Sequence, residues 1–270
     1  MTVGLDLANR IVVVTGGLGR LGSSFSRALV ASNARVGVID AKVDPKRRAA
    51  LFSGIGEDRL RVFEADVTSR SSLEDVRVEI GKDWGPVFGL INNAAIDAPP
   101  DAPVSENGPF EDYSEASFDR MMDVNVKGVM LCCQVFGGGM AAAGAGSIVN
   151  IGSIYGILSP DQALYQYRRN RGETFFKPVA YSVSKSALMN LTRYLAVYWG
   201  GAGVRVNTLV FGGVFADQDP EFLKAYLPKV PLGRMADPGD YDGPVVFLMS
   251  DASRYMTGST MVVDGGFSAM

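Results

Sequence analysis

The chain contains no histidine in its 270 residues. This absence excludes serine–histidine triads, cysteine–histidine nucleophile pairs and most catalytic zinc sites, because each of them needs an imidazole. The only cysteines, Cys132 and Cys133, are adjacent in an apolar run, which favours reduced packing residues over a redox or metal role. We therefore expect no metal site, and any acid or base must be Tyr, Lys, Asp, Glu or Cys.

The sequence also lacks an excess of charge and a long apolar run. Lys and Arg number 26 against 29 Asp and Glu, the formal net charge is -3, and no basic block occurs, so nucleic acid is not an expected partner. No run approaches the roughly 18 apolar residues that span a bilayer, and the first ten residues, MTVGLDLANR, lack the features of an export signal. We expect a cytoplasmic protein with no membrane partner.

Short β-branched runs alternate with amphipathic stretches. Seven runs predict strands: RIVVVTGG, ARVGVID, RLRVFEADV, PVFGLINNA, GSIVNIGS, GVRVNTLV and STMVVDGG. Their continuous apolarity is typical of parallel strands that are covered on both faces. Helices are predicted between them, at about 21–32, 72–81, 117–137, 179–199 and 238–249. The pattern predicts an α/β fold, a doubly wound, mostly parallel seven-stranded sheet with helices on both faces.

No linker or repeat divides the chain, so the sequence predicts one domain over residues 1–270. The Pro-rich stretch AIDAPPDAPVSENGP is predicted to be a surface loop within that domain. The second predicted helix could begin in a capping box formed by Ser71 and Glu74, and the last has Asp237 before Pro238.

The first predicted strand runs into a glycine-rich turn, TGGLGRLG, at 15–22, and a helix follows directly. Its glycines would allow a tight turn, close approach of a pyrophosphate to backbone N–H groups, and close helix packing: Gly16, Gly19 and Gly22. Glycine spacing alone is equally compatible with an ordinary strand-to-helix turn, so the assignment needs a second signal.

That second signal is Asp40, which ends the second predicted strand 18 positions after the last of these glycines. An acidic residue there accepts hydrogen bonds from a ribose 2′-hydroxyl and repels a 2′-phosphate, which favours NAD over NADP. Arg20 and Lys42 lie near in sequence, and either could turn toward a phosphate instead. The end of the third strand would place Asp66 and Val67 beside an adenine ring, although Asp66 could instead only cap a turn.

A tyrosine and a lysine four positions apart, Tyr181 and Lys185, share one face of a predicted helix. An unperturbed phenol has a pKa near 10, so only about one in a thousand is ionised at pH 7. One positive charge about 6 Å away would stabilise the phenolate by roughly 2.8 kcal/mol and lower its pKa by about two, and an oxidised nicotinamide would add a second charge. We expect Tyr181 to be the acid–base group, unless the pair is an ordinary surface contact.

Two further polar residues favour the catalytic alternative. Ser153 follows the fifth predicted strand, at the carboxyl edge where open α/β sheets bind ligands, and its hydroxyl could hold a substrate oxygen beside Tyr181. Asn125 is a polar residue in an apolar helical stretch and could hold a water that links Lys185 to solvent. A helix kink or a buried amide bond is the alternative for Asn125.

These residues, in this order, resemble the short-chain dehydrogenase/reductase family over essentially the whole chain. The matching segments are the glycine turn, Asp66, NNA at 92–94, Asn125, Ser153, Tyr181 with Lys185, RVN at 205–207 and VDGG near the end. The resemblance implies a Rossmann-like domain, hydride transfer on a nicotinamide cofactor, a catalytic tetrad, and dimers or tetramers that pair the two helices carrying tetrad residues. The tetrad would be Asn125, Ser153, Tyr181 and Lys185.

The resemblance also assigns cofactor contacts. It places Asn92 and Ala94 near the cofactor ribose, and Thr208 with the loop after the sixth strand beside the nicotinamide. The expected cofactor-binding set is Gly16, Gly19, Arg20, Leu21, Gly22, Asp40, Asp66, Val67, Asn92, Ala94, Tyr181, Lys185, Gly212 and Val214.

The chain departs from the family pattern at three places. In the glycine turn, Gly19 stands one position earlier than the usual middle glycine, which is closer to the extended sugar-nucleotide branch. In the cofactor pocket, Phe211 replaces a proline and Ala95 replaces the closing glycine of NNAG. The gap of 28 positions between the catalytic serine and tyrosine is longer than usual, which implies an insertion at about 158–178.

Because the serine and tyrosine must converge, the insertion is expected to bulge at the mouth of the active site. Its cations would suit a phosphate or carboxylate of the substrate: Arg168, Arg169, Arg171 and Lys177. A subunit contact or a solvated loop is an equal alternative. Together with GGVFADQDPEFLKAY and PLGRMADPGDY, the insertion resembles family members of bacterial flagellin-modification and nonulosonic acid pathways.

We therefore expect an NAD-dependent oxidoreductase of carbohydrate metabolism, with NADP the less favoured cofactor. It would interconvert a secondary alcohol and a ketone on a polar or anionic sugar derivative, as a cytoplasmic dimer or homotetramer. Two alternatives stay open: a reductase of acyl or other apolar ketones, and a dinucleotide-binding module without catalysis.

Overall fold

Seven strands form one parallel sheet in the structure, a computed structural model that describes residues 4–98 and 103–270. The strands are β1 (Ile11–Thr15), β2 (Arg35–Asp40), β3 (Leu60–Glu64), β4 (Gly89–Asn92), β5 (Gly146–Ile151), β6 (Val204–Phe211) and β7 (Thr260–Val263). Their order across the sheet is β3-β2-β1-β4-β5-β6-β7. The order reverses at β1, which pairs with β2 on one side and β4 on the other, and ligands bind at such switch points.

Helices cover both faces of this sheet. They are α1 (Arg20–Ala31), α2 (Pro45–Leu51), α3 (Arg70–Asp83), α4 (Val104–Asn107), α5 (Glu115–Ala143), α6 (Gln166–Asn170), α7 (Val179–Gly200), α8 (Pro220–Tyr226) and α9 (Asp242–Met249). Alternate residues of β1 point to opposite faces: Val12 and Val14 join the core under α1 and α9, whereas Ile11 and Val13 join the core under α3, α5 and α7. The predicted doubly wound α/β fold is confirmed, and every strand pair is parallel.

The structure corrects some predicted helix boundaries. α3 begins two residues before Ser72 because Ser69 caps it, with its Oγ accepting from the Ser72 N–H at 3.3 Å, so the capping box predicted at Ser71 is wrong. Four short helices, α2, α4, α6 and α8, were not predicted, since helices of seven residues or fewer hardly show a 3.6-residue period. Residues 99–102 of the predicted Pro-rich loop lie outside the described residues.

Within the part of the chain that the structure describes, one helix, α5, is long and apolar enough to cross a membrane, which sequence inspection did not find. Core helices of soluble proteins meet the same requirement of length and composition. Here four apolar side chains of α5 are buried in the core between the helix and the sheet, namely Val129, Cys132, Phe136 and Met140. This packing explains why the helix is apolar.

The two cysteines lie in this core. Cys132 and Cys133 are free and buried, and burial raises the pKa of both thiols. Asn92 donates to the Cys133 Sγ at 3.3 Å. Among residues 4–98 and 103–270, no three His, Cys, Asp or Glu side chains are grouped as metal ligands. The placement of both cysteines is typical of packing residues.

Candidate active site

The glycine turn between β1 and α1 is tightly packed. Gly16 has a φ of +62°, and a Cβ at Gly22 would lie 2.4 Å from the Gly16 carbonyl oxygen. Asn93 Nδ2 donates to the carbonyl oxygens of Thr15 and Gly16 at 3.0 and 3.1 Å. No side chain caps α1, whose N-cap is Gly19, so the N–H groups of its first turn are available to a pyrophosphate.

Asp40 lies against this turn, at the end of β2. Its Oδ2 accepts a hydrogen bond from the Leu18 N–H at 2.9 Å, and its Oδ1 has no partner among the described residues. The guanidinium of Arg20 donates to the Phe215 carbonyl oxygen in the loop after β6. Asp40 can therefore offer one oxygen to a ribose hydroxyl, while Arg20 bridges two segments of the protein.

Three other residues predicted to lie near the cofactor, Asp66, Asn92 and Thr208, already bond to other protein groups. Asp66 Oδ1 accepts from both the N–H and the hydroxyl of Thr68 at 2.8 Å, so one of its oxygens does cap a turn. The side chain of Asn92 lies in a buried hydrogen-bonded chain, with links of 2.8, 2.9 and 2.7 Å, that runs through Asn92, Asn150, Thr192 and Thr208. The amide nitrogen of Asn92 and the hydroxyl of Thr208 are therefore already engaged within the protein.

A cavity of about 830 Å³ opens at the carboxyl edge of the sheet. Ser153, Tyr181 and Lys185 all line it, as do three other predicted cofactor residues: Leu21, Gly212 and Val214. Where the family has a proline, the ring of Phe211 lines the cavity and packs on Tyr241 with centroids 4.0 Å apart. The structure therefore brings the predicted serine, tyrosine and lysine together.

Lys185 is buried beside Tyr181. Its Nζ donates to the Ile151 carbonyl oxygen at 2.8 Å and lies 5.9 Å from the centroid of the Tyr181 ring. Ser153 accepts from the Tyr155 N–H at 3.2 Å and also bonds to the Tyr181 phenol.

The pKa of Tyr181 differs from the sequence-based expectation. Burial raises the pKa of the phenol above its usual range, the negative charge of Asp97 raises it further, and the hydrogen bond with Ser153 only partly opposes this. Burial also lowers the pKa of Lys185 to about 8. The expectation that the protein's own residues lower the pKa of Tyr181 is therefore wrong. Loss of hydration raises this pKa by more than the charge of Lys185 lowers it, because the Lys185 ammonium itself bonds to a carbonyl oxygen.

Asn125 lies in a π-helical turn of α5, Asp123–Gly128. Its Oδ1 accepts from the Ile96 N–H at 2.8 Å, and its Nδ2 donates to the Ile96 carbonyl oxygen at 2.9 Å and to the Ser184 hydroxyl at 3.0 Å. The amide therefore fixes the segment after β4 against α7. A water relay through Asn125 stays a prediction, because both amide atoms of its side chain already bond to protein groups.

The insertion at 158–178 lies against the cavity, as the convergence of serine and tyrosine predicts. Arg168 and Arg171 line it, but each is in an ion pair: Arg168 with Glu173 at 2.5 Å and Arg171 with Asp219 at 2.6 Å. Arg169 lies outside the lining and donates to the carbonyl oxygens of Gln162 and Phe175 at 2.7 and 2.9 Å. The three arginines thus brace the insertion, which weakens the hypothesis that they bind an anion.

Aromatic contacts hold the insertion on α8. Tyr165 packs between Phe175 and Phe222, with ring centroids 4.9 and 5.7 Å away, and Phe222 stacks on Tyr226. Sequence reasoning did not identify several of the lining residues, namely Asp97, Tyr155, Glu173, Asp219 and Tyr226. The sequence did contain one signal for these residues: Asp219 precedes Pro220, an order typical of the first residues of a helix. In the structure the Asp219 carboxylate accepts from the Glu221 N–H at 2.9 Å.

The residues present fit a nicotinamide dinucleotide. The uncapped N-terminus of α1 suits a pyrophosphate, and the free oxygen of Asp40 suits a ribose hydroxyl. Leu21 of the turn and Gly212 of the loop after β6 both line the cavity that contains Tyr181, so the turn and the reacting groups share one cleft.

Comparisons with known proteins identify the family of the chain. The family model described as "Enoyl-(Acyl carrier protein) reductase" matches residues 19–268. The chain is 32% identical to 2-(S)-hydroxypropyl-CoM dehydrogenase 3 of Xanthobacter autotrophicus over 98% of each chain. It is 33% identical to galactitol 2-dehydrogenase of Rhizobium johnstonii over 95% of this chain and 94% of that one.

A solved structure supports the same relationship. The short-chain dehydrogenase of Leptospira borgpetersenii with bound NAD+ superposes with a TM-score of 0.83 and 31% identity, over 99% of this chain and 96% of that one. The sequence relatives and the solved structure therefore indicate the same family. The chain belongs to the short-chain dehydrogenase/reductase family, whose members are oxidoreductases that bind NAD(P).

Proposed function

We propose that this protein is an NAD-dependent dehydrogenase that interconverts a secondary alcohol and a ketone on a neutral polyol or sugar. The observation that carries the proposal is the convergence of Ser153, Tyr181 and Lys185 on the cavity beside the glycine turn. The relationship to galactitol 2-dehydrogenase supports a polyol. We also propose that residues 1–270 act as one domain, because both halves of one sheet contribute to this site.

The lining of the cavity favours a neutral substrate. Its charged side chains balance, with four acids and four bases: Asp97, Glu173, Asp217, Asp219, Arg168, Arg171, Lys177 and Lys185. Arg168, Arg171 and Lys177 are already in ion pairs, so an anion would have to compete with a carboxylate. Tyrosine rings add flat apolar faces with hydroxyl tips, which suit polyols.

Each catalytic side chain has one task. A nicotinamide, when bound, supplies the hydride acceptor or donor. Ser153 holds the substrate oxygen, and Tyr181 removes its proton in oxidation or returns it in reduction. Lys185 donates from its buried ammonium and orients the ribose. Because the raised pKa keeps the Tyr181 phenol protonated at neutral pH, we expect reduction near neutrality and faster oxidation as the pH rises.

The proposed choice of NAD rests on Asp40. Its Oδ2 is fixed by the Leu18 N–H, so the carboxylate is held at the end of β2, where a 2′-phosphate would be repelled. Arg20, the nearest cation of the turn, is engaged by the Phe215 carbonyl oxygen.

We propose a cytoplasmic homo-oligomer that pairs α5 and α7 between subunits, as the family resemblance implies. Four apolar or aromatic side chains on α7 are exposed: Val183, Tyr194, Val197 and Tyr198. Several exposed apolar and aromatic side chains on one helix are typical of an interface. Light scattering of the wild type and of Val197→Glu tests it, and a monomeric wild type would contradict the assembly.

A reductase of acyl or other apolar ketones is the second candidate, because the matching family model carries an enoyl reductase description. A panel of galactitol, threitol and glycerol, their sugar-acid counterparts, and apolar ketones separates the candidates. We expect turnover with polyols and NAD+ that exceeds turnover with NADP+ at least tenfold. Activity confined to apolar ketones would support the second candidate, and cofactor binding without turnover would indicate a non-catalytic module.

A further inference from the structure

An ion pair lies at the mouth of the cavity, beside the ring of the catalytic tyrosine. Lys177 lies near the end of the insertion, and Asp97 lies in the segment after β4. Although they are 80 positions apart in sequence, the Lys177 Nζ donates to the Asp97 Oδ2. The Lys177 Nζ lies 4.7 Å from the centroid of the Tyr181 ring. Both residues line the cavity, with 13% of the Lys177 side chain and 37% of the Asp97 side chain exposed. The pair therefore adjoins the space where a substrate must react.

Both partners are held in place by neighbouring hydrogen bonds. The amide side chain of Gln162 clamps the backbone of Lys177, accepting from its N–H at 2.9 Å and donating to its carbonyl oxygen at 3.1 Å. On the other side, Asp97 Oδ1 accepts from the Ala98 N–H at 3.0 Å. The amide of Asn125 fixes the backbone of Ile96, the preceding residue. The pair is thus built into the fold and not a chance surface contact.

The pair has bonding capacity left over. An ammonium has three N–H donors, and the described residues give that of Lys177 one acceptor, Asp97. A carboxylate has about four acceptor directions, and Asp97 receives the Lys177 ammonium and the Ala98 N–H. A hydroxyl group both donates and accepts, so it can bond to the carboxylate and the ammonium together without separating them. An anion would be repelled by Asp97, and a cation by Lys177.

The position of the ion pair determines which hydroxyl group of a bound substrate it can contact. The reacting hydroxyl must lie at the phenol oxygen of Tyr181, while the Lys177 ammonium lies over the same ring. We propose that Asp97 and Lys177 together bind the hydroxyl on the carbon next to the reacting one, so that the substrate class is a vicinal diol. This inference rests on the proposed alcohol dehydrogenase function, and it makes both residues determinants of substrate specificity.

The test compares two alcohols that differ in one hydroxyl, 2,3-butanediol and 2-butanol, with NAD+. The readout is the ratio of kcat/KM for the diol to kcat/KM for the mono-alcohol. A defect in folding, cofactor binding or proton transfer lowers both values and cancels in the ratio. We expect the wild type to favour the diol at least tenfold, and Asp97→Asn to reduce this ratio about 10- to 100-fold, because a charge-assisted hydrogen bond is lost.

Lys177→Met should reduce the same ratio by about tenfold, since it removes the ammonium and frees Asp97 to move. The matched controls are Asp161→Asn and Lys229→Met, which break the other Lys–Asp pair of the insertion, 3.0 Å long and outside the cavity lining. These controls should leave the ratio unchanged. A ratio that stays at the wild-type value in Asp97→Asn, or that falls equally in Asp161→Asn, overturns the inference. A wild type that oxidises the polyols of the panel but not 2,3-butanediol also overturns the inference. A wild type that oxidises none of these alcohols refutes the proposed function instead.

Discussion

The two halves of the active site are built from different parts of the chain. On the side of β1 and β2, the site consists mainly of backbone: glycines that approach other atoms closely, the uncapped end of α1, and one carboxylate held by an N–H. On the side of α7 and the insertion, it consists of side chains that pair across long stretches of sequence, such as Arg171 with Asp219. The backbone half suits a ligand common to many proteins, and the side-chain half suits one particular substrate.

Removal of the Tyr181 hydroxyl should produce the largest difference between the two halves, because it should affect turnover far more than cofactor affinity. We expect Tyr181→Phe to lower kcat for polyol oxidation by about 10³-fold, because it removes the acid–base group, while the Kd for NADH stays within about twofold. Stopped-flow turnover and fluorescence titration measure the two effects. Tyr255→Phe is the matched control, since Tyr255 is fully exposed. Equal turnover in Tyr181→Phe and wild type would refute the mechanism.

Burial of the Lys185 ammonium should lower the free energy of unfolding at neutral pH. The pKa of Lys185 is about 8 in the folded protein and 10.5 when unperturbed, so between these pH values the unfolded chain binds more protons. The free energy of unfolding should therefore rise with pH across this window, by up to about 3 kcal/mol more in the wild type than in Lys185→Met. Urea titrations of both proteins at pH 7.5 and 10 measure the difference, and a difference that does not change with pH would contradict this account.

The backbone half should be broken by a single methyl group. A Cβ at Gly22 would lie 2.4 Å from the Gly16 carbonyl oxygen and 2.7 Å from the Gly17 Cα. We expect Gly22→Ala to weaken NADH binding by about 10- to 30-fold, because the turn must shift by more than a side chain can absorb. The control is Gly139→Ala on α5, where a Cβ meets nothing within 4 Å. Unchanged NADH affinity in Gly22→Ala would show that the turn does not hold the cofactor.

The smallest effect is expected for the exposed ion pair between Arg171 and Asp219. The Arg171 side chain is 50% exposed, so solvent screens its pair with Asp219, which should contribute little to stability. Arg171→Gln should therefore leave KM for a neutral polyol within about threefold of the wild type. A rise of more than tenfold, confined to sugar acids, would restore the hypothesis that the insertion binds an anionic substrate.

The fold was largely predictable from the sequence because its signals are local. Continuous apolar runs located all seven strands, and α7 was predicted at 179–199 against the observed Val179–Gly200. The start of α3 was misplaced because Ser69, Ser71 and Ser72 are equally good capping residues by type. The choice among them depends on which hydroxyl reaches the first turn.

The convergence of the candidate catalytic residues was predictable for the same reason, whereas their surroundings were not. The spacing of Tyr181 and Lys185 on one helix, and of Ser153 at a strand end, are local facts. The raised pKa of Tyr181 depends on burial and on Asp97, and the pairing of Asp97 with Lys177 joins residues 80 positions apart. Nothing local in the sequence specifies such a contact, so charge patterns in the insertion suggested free guanidiniums where the structure has ion pairs.

The most direct test of the central claim is a crystal structure of the protein with NAD+ and a bound polyol. The account predicts the pyrophosphate at the first turn of α1, the nicotinamide in the 830 Å³ cavity, and one polyol hydroxyl within hydrogen-bond distance of both Ser153 Oγ and Tyr181 Oη. A nicotinamide outside this cavity, or a polyol bound away from Tyr181, would contradict it.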